Sequence, residues 1–156
     1  MSRLLINQAI KQGGRVTVAG FVRNLRLQKS VCFIDLVDLS GQLQLVCLAG
    51  SPAFDLCQSL SLESVVQASG QLQPKPAKPG SLTTEYEVAM EDLQVLSSAA
   101  PALPIPILGK ADNEADLENR FNWRWLDLRR PEHQLIFKVW TELEKGCRHY
   151  WDQAGY

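Results

Sequence analysis

The sequence predicts an all-β domain, a small antiparallel barrel, followed by a connector and one long helix. Three observations carry that prediction. Between Arg15 and Leu96 there are five stretches in which apolar and polar side chains alternate with period two, the signature of half-buried strands. One short helical stretch interrupts them, between the third and the fourth. From Glu132 onward the apolar period becomes that of an amphipathic helix.

The clearest element is the hairpin Val31–Val46, two alternating runs that meet at Asp38-Leu39-Ser40-Gly41. Cys32, Ile34, Leu36, Leu43 and Leu45 form its apolar face, and Phe33, Asp35, Gln42 and Gln44 the other. Ahead of it, Leu4-Leu5-Ile6 starts an arm or short helix that ends at Gly13-Gly14. Strand one runs from Arg15 to Arg26 with Val16, Val18 and Val22 inward. Gly20 lies on that face, where a coiled strand needs room, and Phe21 and Arg23 have the opposite parity. After the hairpin, Ser51 is placed to cap a helix from Pro52 to about Ser59 with Phe54, Leu56, Cys57 and Leu60 as its apolar set.

Strand four spans Ser64–Gln73, with Val66, Ala68 and Leu72 inward, and is ended by the prolines of Pro74–Gly80. Strand five spans Thr84–Leu96, with Tyr86 and Val88 inward and Glu87 outward. Five strands with a helix between the third and fourth fit a Greek-key barrel of the oligonucleotide/oligosaccharide-binding (OB) class; alternation alone leaves another five-stranded barrel open. The barrel is expected to occupy residues 1–98. A proline-rich linker and hinge over 99–131 includes a short polar helix near Asn113–Phe121 and an aromatic, arginine-rich connector. The last segment, 132–156, is a helix whose broad apolar face runs from Ile136 to Trp151.

Composition narrows the function classes. Sixteen basic and seventeen acidic side chains give a net charge of -1, so any nucleic acid must be held by local contacts rather than by a basic field. No apolar run is long enough to span a bilayer and no signal-peptide core is present, so a cytoplasmic, non-membrane protein is expected. Cys32, Cys47, Cys57 and Cys147 lack metal spacing and read as free thiols, the first three as core side chains. His133 and His149 form no metal or triad constellation. An aromatic beside amides on the wet face of a small sheet, as at Phe33, is one way single-stranded nucleic acid is read, but an exposed strand Phe more often packs against its neighbours.

At Leu126-Asp127-Leu128-Arg129-Arg130-Pro131-Glu132, followed by Ile136-Phe137 and Asp152-Gln153-Ala154-Gly155-Tyr156, the chain resembles the class II aspartyl-tRNA synthetase family and its asparaginyl relatives. The resemblance covers essentially the whole chain. It implies an N-terminal anticodon-binding OB-fold, a hinge and the opening helix of a truncated class II catalytic domain. The second and third catalytic motifs have no counterpart, so these 156 residues are expected to be catalytically inert and to need no cofactor. ATP and Mg2+ are implied for a full-length enzyme, which the resemblance makes a homodimer. The expected partner is a tRNA anticodon stem-loop, not DNA.

The same resemblance implies roles for particular residues. Phe33 matches the aromatic that stacks on the central uridine of the anticodon, Gln44 the glutamine that hydrogen-bonds to anticodon bases, and Glu87 the glutamate that reads the same region. Arg23 and Arg26 are the nearest matches to arginines that contact the stem-loop. Lys29, Lys75 and Lys78 are candidates for phosphate contacts. Asp127, Arg129 and Arg130 belong to the hinge, where fork hydrogen bonds suit a structural role. The chain departs from the family pattern at Arg26-Leu27-Gln28-Lys29-Ser30, where many relatives carry Arg-Asp followed by a glycine, and at Val37, which replaces a commonly basic position. Asparaginyl or relaxed specificity, a stand-alone RNA-binding barrel and a protein-interaction module are the alternative readings.

Overall fold

The computed structural model describes residues 3–75, 85–107 and 115–155. Strands β1 (Arg15–Leu27), β2 (Val31–Asp38), β3 (Gly41–Leu48), β4 (Val65–Pro74) and β5 (Tyr86–Ser97) close into a barrel in the order β1-β2-β3-β5-β4. Helix α1 (Ile6–Gln12) precedes it and α2 (Pro52–Gln58) links β3 to β4. Every pairing is antiparallel except the short parallel seam between β3 and β5. The expected five-stranded barrel with one inter-strand helix is the observed one.

Alternation puts one side chain in two into the barrel. Val16, Val18, Val22, Cys32, Ile34, Leu36, Leu43, Leu45, Cys47, Val66, Ala68 and Val88 are all buried. Each large aliphatic among them contributes about 1.5–3 kcal/mol by leaving water. Burial raises the pKa of the Cys32 and Cys57 thiols, so they pack as neutral apolar groups. Close coiling demands glycine at two places. A Cβ at Gly20 would strike the Val37 carbonyl, and one at Gly70 the Ala89 carbonyl.

Ser51 caps α2 by accepting from the Phe54 N–H at 3.3 Å. Two inward assignments do not hold. Leu56 is 41% exposed, and Ala53 takes its place beneath α2 with Phe54 and Cys57, because the seven-residue helix turns Leu56 away from the barrel. Tyr86 has inward parity but is 37% exposed, since it stands at the first position of β5, beyond the closed part of the barrel. The expected start of that strand at Thr84 falls outside the described residues.

The hairpin turn is tied to the N-terminal helix through one carboxylate. Asp38 Oδ1 accepts from the Ser40 N–H at 2.6 Å, the Gly41 N–H at 3.1 Å and the Ser40 hydroxyl at 2.7 Å. Its Oδ2 accepts from the Ile6 N–H at 2.8 Å, and Ser40 Oγ from the Asn7 N–H at 3.1 Å. The turn of β2–β3 therefore supplies the cap that Leu5, at the N-cap of α1, cannot.

The chain divides into two compact units, Met1–Pro101 and Ala102–Tyr156. In the second, Ile105 and Ile107 of the proline-rich stretch are buried with Leu126. That packing is why the unit takes in residues after Pro101. Helices α3 (Leu117–Asn122), α4 (Arg124–Asp127) and α5 (Pro131–Ala154) complete it. Asp116 caps α3 by accepting from the Asn119 N–H at 2.8 Å, and Gly155 ends α5 in the left-handed conformation. Ile136, Val139, Trp140, Leu143, Tyr150 and Trp151 on α5 are exposed.

The ionisation of Asp38 makes a testable contribution. Burial pushes its pKa up, but the hydrogen bonds from Ile6, Ser40 and Gly41 outweigh burial and hold it below the ordinary carboxylate value. A lowered folded-state pKa stabilises the fold above the unfolded value and is lost as pH falls through the folded one. Asp38→Ala should therefore cost about 1–2 kcal/mol at pH 7. In urea titrations, the advantage of the wild-type chain over D38A should shrink as pH drops below about 4.

Candidate nucleic-acid interface

On the outer face of the barrel, register places one polar residue from every strand in a single row. Asn24 of β1 pairs with Asp35 of β2, Asp35 with Gln44 of β3, Gln44 with Glu87 of β5, and Glu87 with Gln73 of β4. The row alternates amide and carboxylate. Asn24 Nδ2 donates to Asp35 Oδ2 at 3.1 Å, and Gln73 Nε2 donates to Glu87 Oε1 at 2.9 Å. The Gln44 side chain, between the two carboxylates, has no hydrogen-bond partner among the described residues.

The next row on the same face is less polar. Arg26 pairs with Phe33, Phe33 with Val46, and Val46 with Ala89. The Arg26 guanidinium carbon lies 5.4 Å from the Phe33 ring centroid, with Arg26 Nη2 3.9 Å from Asp35 Oδ1. Phe33 is half-buried, so its ring forms a partly open apolar floor beside the polar row. A shallow groove of about 410 Å³ borders this face, lined by Asp35, Gln42, Gln44, Lys75 and Tyr86 among others. A floor that can stack and a row that can donate and accept suit an unpaired base better than a duplex.

The sequence-derived site residues fall into four groups. Phe33, Gln44, Glu87 and Arg26 converge on this face. Glu87 has the expected outward parity, yet it is only 8% exposed, because Gln73 and the neighbouring strands cover its carboxylate. Lys29 is exposed in the β1–β2 connection, and Lys75 closes the end of β4 by an ion pair to Glu85 at 3.1 Å. Lys78 lies outside the described residues.

Arg23 is elsewhere. It is the extra residue of a β-bulge between Val22 and Asn24, and its Nη1 lies 3.1 Å from Glu63 Oε1, with both side chains almost buried. The bulge also reverses the parity of the rest of β1, which turns Leu25 inward and brings Asn24 and Arg26 out. Simple alternation could not place Asn24, and nothing in the β4 sequence alone distinguished Gln73 from Gln71 or Gln67. Both became visible only through their partners across the sheet.

The hinge residues gather in the second unit. Asp127 is fully buried, with Arg124 Nη1 at 2.7 Å, Arg120 Nε at 3.1 Å and His133 Nδ1 at 2.9 Å. Arg130 is buried at the N-cap of α5 with its Nε 4.0 Å from Glu132, and Arg129 is half-buried. The arginines that hold Asp127 are Arg120 and Arg124. The described residues contain no group of His, Cys, Asp and Glu arranged to hold a metal ion, and no described helix is long and apolar enough to cross a membrane.

A family profile for OB-fold nucleic acid binding domains, of the tRNA anticodon type, matches residues 16–96, the span of the barrel. The chain belongs to this OB-fold family. Among relatives it is similar to the aspartate–tRNA(Asp/Asn) ligase of Methanosarcina barkeri, 30% identical over 152 residues, which cover 96% of this chain and 33% of the relative. It is 37% identical over 146 residues to the corresponding ligase of Aeropyrum pernix, with 91% of this chain and 31% of the relative covered.

Asparaginyl-tRNA synthetase from Pyrococcus horikoshii superposes with a TM-score of 0.77 at 26% identity, over 92% of this chain and 33% of that one. Aspartyl-tRNA synthetase from Entamoeba histolytica gives 0.83 over 100% and 38%, and at 18% identity it speaks for the fold alone. The resemblance drawn from the Asp-Leu-Arg-Arg-Pro-Glu connector is thus borne out. The chain spans about a third of the length of the curated relatives it matches.

The placement of Arg23 generates one prediction. Removing one partner of a nearly buried ion pair leaves the other charge uncompensated, at a cost of about 3–5 kcal/mol when burial is complete. Glu63→Gln should lower unfolding stability in urea by a sizeable part of that, roughly 2–3 kcal/mol. A loss comparable to an exposed pair, below about 1 kcal/mol, would contradict a structural pin.

Proposed function

We propose that this chain is the anticodon-recognising part of an aspartate-type tRNA ligase. The observation that carries this reading is the outer face itself, with Phe33 as floor and the row through Gln44 beside it, on a barrel of the anticodon-binding OB family. A pyrimidine stacked on Phe33 gains roughly 1–3 kcal/mol and little discrimination, since every base has a π-face. Discrimination falls to Gln44, which can donate and accept, and to Glu87, which when ionised only accepts and so takes a base amino or imino donor. A wrong base leaves one of these groups unpaired at a cost of about 1–3 kcal/mol. Arg26 supplies a cation beside the platform, and Lys29, Lys75 and Lys78 supply backbone-phosphate contacts.

In this proposal the whole polypeptide attaches aspartate to tRNA in the cytoplasm as a homodimer, drawing on ATP and Mg2+. The described residues hold no group of His, Cys, Asp and Glu arranged for a metal ion. Asparaginyl or relaxed specificity shares the same face, because the central anticodon base is the same for both.

Phe33→Ala should weaken binding of an aspartate-type anticodon stem-loop about tenfold at fixed salt while leaving the thermal transition in place. Equal affinity of wild type and F33A would remove the stacking role. Gln44→Ala should narrow the affinity gap between that loop and one with its central uridine replaced by cytidine; a uniform loss against both loops would refute base reading by Gln44.

The 156-residue chain by itself should form no aminoacyl adenylate from aspartate or asparagine with ATP. ATP–pyrophosphate exchange by the purified chain would overturn that assignment.

A further inference from the structure

We infer that Gln73 and Asn24 are positioning residues whose task is to keep the Gln44 amide unclaimed. Register gives each carboxylate in the row two amide neighbours. Asp35 stands between Asn24 and Gln44, and Glu87 between Gln44 and Gln73. In both cases the carboxylate takes its hydrogen bond from the outer amide, Asn24 at 3.1 Å and Gln73 at 2.9 Å, and not from Gln44.

Charge-assisted bonds of this kind are stronger than neutral ones, so a nearly buried carboxylate with no outer donor would draw in the nearest amide. For Glu87, 8% exposed, that amide is Gln44. The outer amides act as internal substitutes. They satisfy the two carboxylates from the edges of the row and leave the central side chain with both its N–H donors and its carbonyl available, facing the groove that Asp35, Gln44 and Lys75 line. The face thus presents a free amide beside the partly open Asp35 carboxylate, a pattern suited to a base edge that carries a donor next to the group Gln44 reads.

This rests on the reading of Gln44 as the base reader, but its structural core can be tested without RNA. In the 15N-labelled chain, the side-chain NH2 signals of Gln44, assigned by their loss in Gln44→Ala, should exchange freely with water. In Gln73→Met they should move downfield and exchange more slowly as the amide turns to Glu87. Adding Glu87→Leu to that variant should restore the free signature. Gln73→Thr, a strand-favouring side chain too short to reach Glu87, serves equally if the Met variant does not fold.

With the two stem-loops described above, Q73M should lose about tenfold in affinity for the uridine loop and little for the cytidine loop. In a Q44A background it should change neither. Gln44 signals that stay in place in both Gln73 variants would overturn the inference, even with stem-loop binding as proposed. If F33A and wild type bind alike, the anticodon reading fails, and the amide signals still decide whether Gln73 holds Glu87 away from Gln44.

Discussion

The closing seam between β3 and β5 is the constraint on which the barrel and its outer face both depend. It is short, with three residue pairs, Gln44 with Glu87, Leu45 with Val88 and Val46 with Ala89. The middle pair is wholly buried and joins the two halves of the core. The flanking pairs look outward, and because side chains alternate strictly across a strand they must do so once the middle pair is inside. The seam that completes the hydrophobic interior thereby brings the central amide beside a carboxylate forty-three positions later in the chain. A slip of one residue would bury Glu87 and expose Val88, so the register of the polar row is enforced by the core beneath it.

Other features stabilise the seam at a distance. Gly20 and Gly70 allow two further strand pairs to approach without a Cβ in the way, which gives the barrel its coil. Asp38 holds the β2–β3 turn and the start of α1 with one carboxylate, so the hairpin that carries Phe33 and Gln44 is anchored at its tip. The Arg23–Glu63 pair anchors β1 where the bulge reverses its parity. The second unit is built differently. There a buried aspartate collects two arginines and a histidine, and a small apolar cluster closes around Leu126.

Near-neutral composition fits this economy. With a net charge of -1, the chain has no long-range field to gather a polyanion, so any nucleic acid it holds has to be held by short-range contacts. In the proposed reading, Phe33 with Arg26 at its ring and the row of alternating amides and carboxylates supply contacts of that kind.

Much of this was legible in the order of residues. Period-two alternation marked five strands and the inward faces of β2, β3 and β4, because one buried face leaves no freedom in which residues point in. Ser51-Pro52 marked α2, Gly155 the end of α5, and the Asp-Leu-Arg-Arg-Pro-Glu connector the family. Parity alone put Phe33, Gln44 and Glu87 on the outer face, since strand geometry is local. What alternation could not reach was anything that depends on a partner strand. The bulge at Arg23 needed the pairing of β1 with β2, and it sent Arg23 to Glu63 while turning Asn24 and Arg26 outward. Tyr86 left the core because the barrel closes before it, and Leu56 because α2 is short. The roles of Gln73 and Asn24 exist only in the closed sheet, where strands distant in sequence are set side by side and their hydrogen bonds are chosen by distance.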